Sequence, residues 1–180
     1  MNIQDLFNLD KKTAFISGGA TGIGRMAAEA MAMAGARVLI ASRKGSACAS
    51  VAEEINQKGY KGIVESFEGD LSSEIGIEAL VKEIKIRTGK LNILMNNSGR
   101  SWGAPLGSFP HSAWEKVMSL NVAGLFSLTQ SLIPLLEKSA THEDPARVIN
   151  VGSVMGEIPM GDGAYSYSAS KAAVHQITKV

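Results

Sequence analysis

The stretch Ser17-Gly18-Gly19-Ala20-Thr21-Gly22-Ile23-Gly24 decides how the chain folds. It directly follows a short apolar run, Thr13–Ser17, which reads as a first β-strand. The amphipathic segment behind it, from Gly22 to Ala34, reads as a helix that Gly35 closes. The order of strand, glycine turn and helix is the first half of a βαβ unit.

Short β-branched or apolar runs and longer amphipathic segments keep alternating along the chain, which favours a parallel α/β sheet. We predict a Rossmann-type doubly wound sheet of order 3-2-1-4-5 in one domain covering residues 1–180. A helix from about Tyr165 stops at Val180 without a cap, which indicates a truncated chain whose usual last strands are missing. The predicted further strands are 37–41, 62–67, 91–95 and 147–151, and the further helices are 46–58, about 72–88 and one beginning near 112.

Two helix starts carry predicted caps. Asp70 and Ser72 are candidate caps for the third helix, because their side-chain oxygens can accept first-turn N–H groups. Ser112 and Glu115 have the spacing of a capping box ahead of the fourth helix. Pro134 falls near the end of that helix, where it would bend it or sit in a new last turn.

The glycine turn has the chemistry of a dinucleotide site. Gly18 permits a tight turn, Gly22 lets a pyrophosphate approach the backbone, and Gly24 allows close packing of helix on strand. The spacing Gly-x-x-x-Gly-x-Gly differs slightly from the usual fingerprint, and an ordinary βα loop remains the alternative. The candidate cofactor-binding residues of the turn are Gly18, Gly19, Ala20, Thr21, Gly22, Ile23 and Gly24.

The end of the second strand indicates which dinucleotide is bound. NAD-binding folds place a carboxylate there to hold the ribose 2′-hydroxyl, but this chain reads Ala41-Ser42-Arg43-Lys44. A guanidinium pairs with a 2′-phosphate, so Arg43 favours NADP. The alternative is that Arg43 is only a solvated surface charge. Arg25 is a weaker candidate for the same role.

Composition excludes several other partners. The formal net charge is +1 with interspersed signs, so we expect neither nucleic acid nor membrane as a partner, but a small molecule. The start of the chain lacks the apolar run of a signal peptide, and the single cysteine, Cys48, suits a cytoplasmic packing residue. His111, His142 and His175 lack ligand spacing, so we expect them to be exposed and no metal to be bound.

The ordered motifs together resemble the short-chain dehydrogenase/reductase family over essentially the whole chain. They are the Gly18–Gly24 turn, Asp70-Leu71, Asn96-Asn97-Ser98-Gly99, Asn121, Ser153, and Tyr167 with Lys171. The resemblance implies that Asp70 and Leu71 flank the adenine, and that Asn97 with Gly99 lies beside the adenosine ribose and steadies the sheet. Ser17 and Ser98 depart from the family's usual Thr and Ala.

Tyr167 and Lys171 are four residues apart on a predicted helix, so both face one ligand. An adjacent ammonium favours the phenolate form of a tyrosine, which suits Tyr167 for acid and base work. Tyr165 is the competing tyrosine, but Ala169 stands four residues beyond it. Two surface residues on an amphipathic helix are the alternative.

The resemblance implies hydride transfer from NADPH to a carbonyl carbon. Tyr167 would protonate the oxygen, and Ser153, just past the fifth strand, would bind the same oxygen. Lys171 would tune Tyr167 and contact the nicotinamide ribose. Asn121, which lies inside a helix where asparagine is disfavoured, would hold a proton-relay water near Lys171.

Trp102, Met155, Ile158 and Met160 flank the expected site and suggest an apolar substrate. Residues 101–103, 114–118 and 146–150 most resemble the 3-oxoacyl thioester reductases, including rhamnolipid-pathway enzymes. A polyol or steroid dehydrogenase, a non-catalytic NADP-binding module that senses redox state, and an inactive fragment remain as alternatives. The resemblance also implies a homodimer or homotetramer assembled through the long helices.

Overall fold

The computed structural model describes residues 6–158, 160–161 and 163–180. Its strands are β1 (Thr13–Ser17), β2 (Arg37–Ser42), β3 (Ile63–Glu68), β4 (Ile93–Asn96) and β5 (Arg147–Asn150). They form a parallel sheet of order β3-β2-β1-β4-β5, which confirms the predicted topology. The helices are α1 (Gly22–Met33), α2 (Gly45–Asn56), α3 (Glu74–Arg87), α4 (His111–Glu137) and α5 (Tyr165–Lys179).

The sheet is covered on both faces because side chains along each strand alternate between them. In β1, Phe15 joins a core cluster with leucines of α3 and α4, whereas Ile16 joins a second cluster with α1 and α2. Both residues are fully buried. This doubly wound arrangement leaves the carboxyl ends of the strands free to form a site.

Helix α4 is long and apolar enough, by length and composition alone, to cross a membrane. In this fold it is a core helix, since its apolar face packs on the sheet and on α3. Pro134 lies three residues before its end, so little of the helix follows the proline. Its buried leucines are Leu125, Leu128, Leu132, Leu135 and Leu136.

The predicted helix caps are wrong in both cases. Helix α4 begins at His111 after Pro110, which puts Ser112 inside the first turn. The cap of α3 is Ser73, whose hydroxyl accepts the Gly76 N–H at 3.2 Å. Asp70 instead accepts hydrogen bonds from the N–H and the hydroxyl of Ser72, both at 2.9 Å.

Candidate active site

The carboxyl ends of β1, β2, β4 and β5 open onto one cavity of about 1050 Å³. A ligand pocket in proteins typically measures about 300–1,000 Å³, so this cavity has room for a dinucleotide together with a small substrate. It runs from the glycine turn to helix α5. The candidate residues lining it are Gly18, Ala20, Thr21, Gly22, Ile23, Arg43, Asp70, Leu71, Asn97, Gly99, Trp102, Ser153, Tyr167 and Lys171.

The glycine turn offers backbone to this cavity. Gly18 and Gly22 have φ of 69° and 52°, a conformation that favours glycine, and a Cβ at Gly22 would meet open space. Gly19 and Gly24 support the turn from behind: a Cβ would lie 2.6 Å from Ile40 at Gly19, and 2.5 Å from Asn97 Nδ2 at Gly24. The N-terminus of α1 therefore opens onto the cavity, where its unpaired N–H groups can bind an anion.

The end of β4 is tied to the glycine turn. Asn97 Nδ2 donates to the carbonyl oxygens of Ser17 and Gly18, each at 3.0 Å. The Ser17 hydroxyl accepts the N–H groups of Asn97 and Ser98 at 3.1 and 3.0 Å. Ser17 thus supplies the hydroxyl at this position, so its departure from the usual threonine removes no hydrogen-bonding group.

Charged side chains follow β2 at the same edge. Arg43 and Lys44 are exposed and line the cavity, so they are free to meet a ligand phosphate there. Arg25 points elsewhere and pairs with Glu54 at 2.6 Å. Behind them the buried Cys48 donates its S–H to the Ser42 hydroxyl at 3.2 Å, and burial raises the pKa of the thiol.

Tyr167 and Lys171 lie side by side on α5. The Lys171 Nζ is 5.7 Å from the centre of the Tyr167 ring, and it donates to the Val151 carbonyl oxygen at 2.6 Å. Lys171 is only 5% exposed, and burial lowers its pKa. The helix spacing therefore brings an ammonium to the face of the tyrosine ring, inside the cavity.

Asn121 lies in a π-helical turn, Ser119–Gly124, that the sequence did not predict. This turn widens α4 and directs the buried Asn121 side chain at two neighbours. Its Oδ1 accepts the Arg100 N–H, while its Nδ2 donates to the Arg100 carbonyl and to the Ser170 hydroxyl, all at 2.9 Å. Asn121 is thus a clamp joining α4, the loop after β4, and α5. Its water-holding role stays a prediction.

Ser153 lies in the loop after β5, where its Oγ accepts the Met155 N–H at 3.2 Å. Its backbone N–H donates to His175 Nε2 at 3.3 Å. The prediction that His175 is exposed is therefore wrong, because its side chain is only 25% exposed and packs under this loop. Sequence alone could not show this contact, since it depends on how the loop returns to α5.

A smaller cavity of about 580 Å³ adjoins the first one at Ala164. Tyr165 lies here, edge-on to Phe109 with ring centres 5.6 Å apart, and Phe109 in turn contacts Trp114. Tyr165 is thus turned away from the cavity that holds Tyr167. Of the apolar residues expected near the substrate, Trp102 and Met155 line the main cavity, Met160 lines the smaller one, and Ile158 is exposed beside neither.

Three comparisons with known proteins agree with this geometry. The chain is 47% identical over 174 residues to the rhamnolipids biosynthesis 3-oxoacyl-[acyl-carrier-protein] reductase of Pseudomonas aeruginosa, covering 97% of this chain and 67% of that protein. A Pseudomonas aeruginosa RhlG/NADP active-site complex superposes with a TM-score of 0.90 at 47% identity, over 96% of this chain and 66% of that one. A gluconate 5-dehydrogenase from Burkholderia cenocepacia, in complex with NADP and tartrate, superposes with a TM-score of 0.85 at 29% identity, over 99% of this chain and 67% of that one.

The chain therefore spans about two thirds of the length of these relatives. The family model described as short chain dehydrogenase matches residues 12–180, which is nearly all of the sequence. The sheet order and the position of the glycine turn agree with that match. On this evidence the chain belongs to the short chain dehydrogenase family.

Proposed function

We propose that the protein is an NADPH-dependent carbonyl reductase that acts on a 3-oxoacyl thioester or a similar β-keto compound. One observation carries the proposal: Ser153, Tyr167 and Lys171 line the same cavity as the glycine turn. A cofactor held by its pyrophosphate at the turn would have its other end within reach of these side chains. The prediction that residues 1–180 form one NADP-binding domain belongs to this proposal.

The residues of the cavity fit NADP. Gly22 leaves open space at the N-terminus of α1, where a pyrophosphate is favoured by the helix dipole. Arg43 and Lys44, at the end of β2, are the cations that would hold a 2′-phosphate. The two solved relatives named above are both described as NADP complexes, as are others that align with this chain, and this supports the same cofactor.

When bound, NADPH supplies the hydride. Tyr167 gives its phenolic proton to the carbonyl oxygen as negative charge develops there. Lys171, with its Nζ 5.7 Å from the ring centre, favours the phenolate that remains. Because Ser153 Oγ accepts the Met155 N–H, its own proton is available to the same substrate oxygen.

The substrate class rests on the relative with 47% identity and on apolar side chains beside the site. That relative is named as a 3-oxoacyl-[acyl-carrier-protein] reductase. Trp102 and Met155 offer apolar surface that suits an acyl chain. A cytoplasmic homodimer or homotetramer is part of the proposal. A polyol or steroid dehydrogenase and a catalytically silent NADP-binding module are the alternatives.

Fluorescence titration and a turnover assay test the proposal in the full-length protein. NADPH should bind more tightly than NADH and should be oxidised when a 3-oxoacyl thioester is added. Oxidation with only a keto sugar acid or a steroid would overturn the substrate class. Tight NADPH binding without turnover of any carbonyl would instead favour the binding module.

A further inference from the structure

His175 lies on the same face of α5 as the two residues proposed for catalysis. It follows Lys171 by one helical turn and Tyr167 by two, because residues four apart lie above one another on a helix. Its ring does not line the main cavity; it packs beneath the loop that carries Ser153. His175 is therefore placed to act on that loop, not on a ligand.

The Ser153 loop is shaped around the imidazole. A Cβ at Gly152 would lie well under 3.0 Å from Nε2, and one at Gly156 would lie 2.8 Å from the α5 backbone at Lys171 and Ala172 and 3.0 Å from Cε1 of the ring. The short 3₁₀ turn Val154–Gly156 therefore packs against both the α5 backbone and the ring. Glycines on both sides of Ser153 allow this approach, which a side chain at either position would prevent.

The hydrogen bond fixes which ring nitrogen carries the proton. Nε2 accepts the Ser153 N–H, so it has no proton, and the proton of the neutral ring is on Nδ1. Nδ1 is buried and lies 3.3 Å from Glu157 Oε1, but among the described residues no aligned hydrogen bond reaches it. The Glu157 carboxylate still favours this tautomer, because it faces the N–H end of the ring.

We propose that His175 is a positioning residue that holds Ser153 in register with Tyr167 by accepting the Ser153 N–H. The inference rests on the proposed reductase function, and His175 acts only through Ser153.

The test compares His175→Gln with His175→Leu in the full-length protein. Glutamine Oε1 can accept the Ser153 N–H, whereas leucine fills the space without an acceptor. We expect kcat to fall roughly tenfold in the leucine variant, the loss of one positioned hydrogen bond, and to be largely restored by glutamine. The KM for NADPH should stay unchanged, because His175 lies outside the cofactor cavity.

The two variants separate positioning from packing, because glutamine keeps an acceptor for the Ser153 N–H and leucine does not. His111→Leu is the matched control, because His111 also stands near a glutamate, at 3.7 Å from Glu115, but its side chain is 88% exposed. Equal activity in wild type and His175→Leu, or equal loss in the glutamine and leucine variants, would overturn the inference.

A readout without catalysis separates this inference from the proposed function. Nitrogen-15 NMR of the wild type should show the His175 tautomer with its proton on Nδ1. A proton on Nε2 would overturn the positioning role even if the leucine variant failed to fold. If the wild type reduced no carbonyl compound, the proposed function would fail. The His175 tautomer would still show whether Nε2 accepts the Ser153 N–H.

Discussion

Replacing Asn121 by alanine should both destabilise the fold and slow turnover. The variant loses three hydrogen bonds of 2.9 Å and leaves the Arg100 N–H and the Arg100 carbonyl without their partner, whereas the Ser170 hydroxyl keeps its hydrogen bond to the Tyr167 carbonyl. An unsatisfied buried group costs about 1–3 kcal/mol, and water from the adjacent cavity can relieve part of this cost. We therefore expect a loss of about 3 kcal/mol in the free energy of unfolding, or roughly 6–12 °C in Tm.

Asn56→Ala provides a matched control. Asn56 also clamps a helix to backbone, through bonds of 2.9 and 2.8 Å to Val64, but it lies away from the cavity. It should lower stability by about 2 kcal/mol without changing kcat per folded molecule. Chemical denaturation followed by circular dichroism gives the stabilities, and NADPH oxidation gives the rates.

Two results would contradict a clamping role for Asn121. A loss of less than about 1 kcal/mol in Asn121→Ala would mean that the three bonds are replaced at little cost. An equal fall of kcat in Asn56→Ala would mean that turnover follows global stability and not the π turn. A loss of kcat confined to Asn121→Ala, with NADPH affinity retained, is what a clamp between α4 and α5 requires.

Further predictions concern Arg43 and Lys171, two cations of the site. Arg43→Asp should shift the binding preference from NADPH toward NADH, because a carboxylate repels a 2′-phosphate and accepts a hydrogen bond from a 2′-hydroxyl. Fluorescence titration with both cofactors measures the two affinities. An unchanged ratio of these affinities would mean that Arg43 does not contact the cofactor. Burial lowers the pKa of Lys171 in the folded protein. At a pH between this lowered pKa and the ordinary one, the unfolded chain therefore binds a proton that the folded protein has released. The free energy of unfolding rises with pH across that window. Urea denaturation should therefore show stability relative to Lys171→Met increasing as the pH is raised toward the ordinary pKa of a lysine, and a constant difference would contradict the burial effect.

Much of the fold could be predicted because its determinants are local. The alternation of apolar runs with amphipathic segments predicts a parallel sheet, and the glycines at 18, 22 and 24 mark where the first helix begins. The four-residue spacing of Tyr167 and Lys171 also predicts that they share a face of α5, as the structure shows. These inferences need only helix and strand geometry.

The rest depends on contacts between distant segments. The π turn at Ser119–Gly124 has no distinct local sequence pattern. It lets the Asn121 side chain reach its hydrogen-bond partners, Arg100 in the loop after β4 and Ser170 on α5. The histidine at 175 is visible in the sequence, but its burial follows from the return of the Ser153 loop over α5. The cap of α3 cannot be chosen from the sequence, because Asp70, Ser72 and Ser73 can all accept a first-turn N–H. In the structure the Asp70 carboxylate accepts hydrogen bonds from Ser72, and Ser73 caps the helix.

In the proposed reaction Tyr167, and not Tyr165, gives a proton to the substrate oxygen. Steady-state kinetics of Tyr167→Phe and Tyr165→Phe in the full-length protein test it most directly, with NADPH affinity measured in parallel. Tyr167→Phe should abolish turnover while binding NADPH as the wild type does, and Tyr165→Phe should remain active. Turnover that survives in Tyr167→Phe and is lost in Tyr165→Phe would contradict the role of Tyr167 as the proton donor.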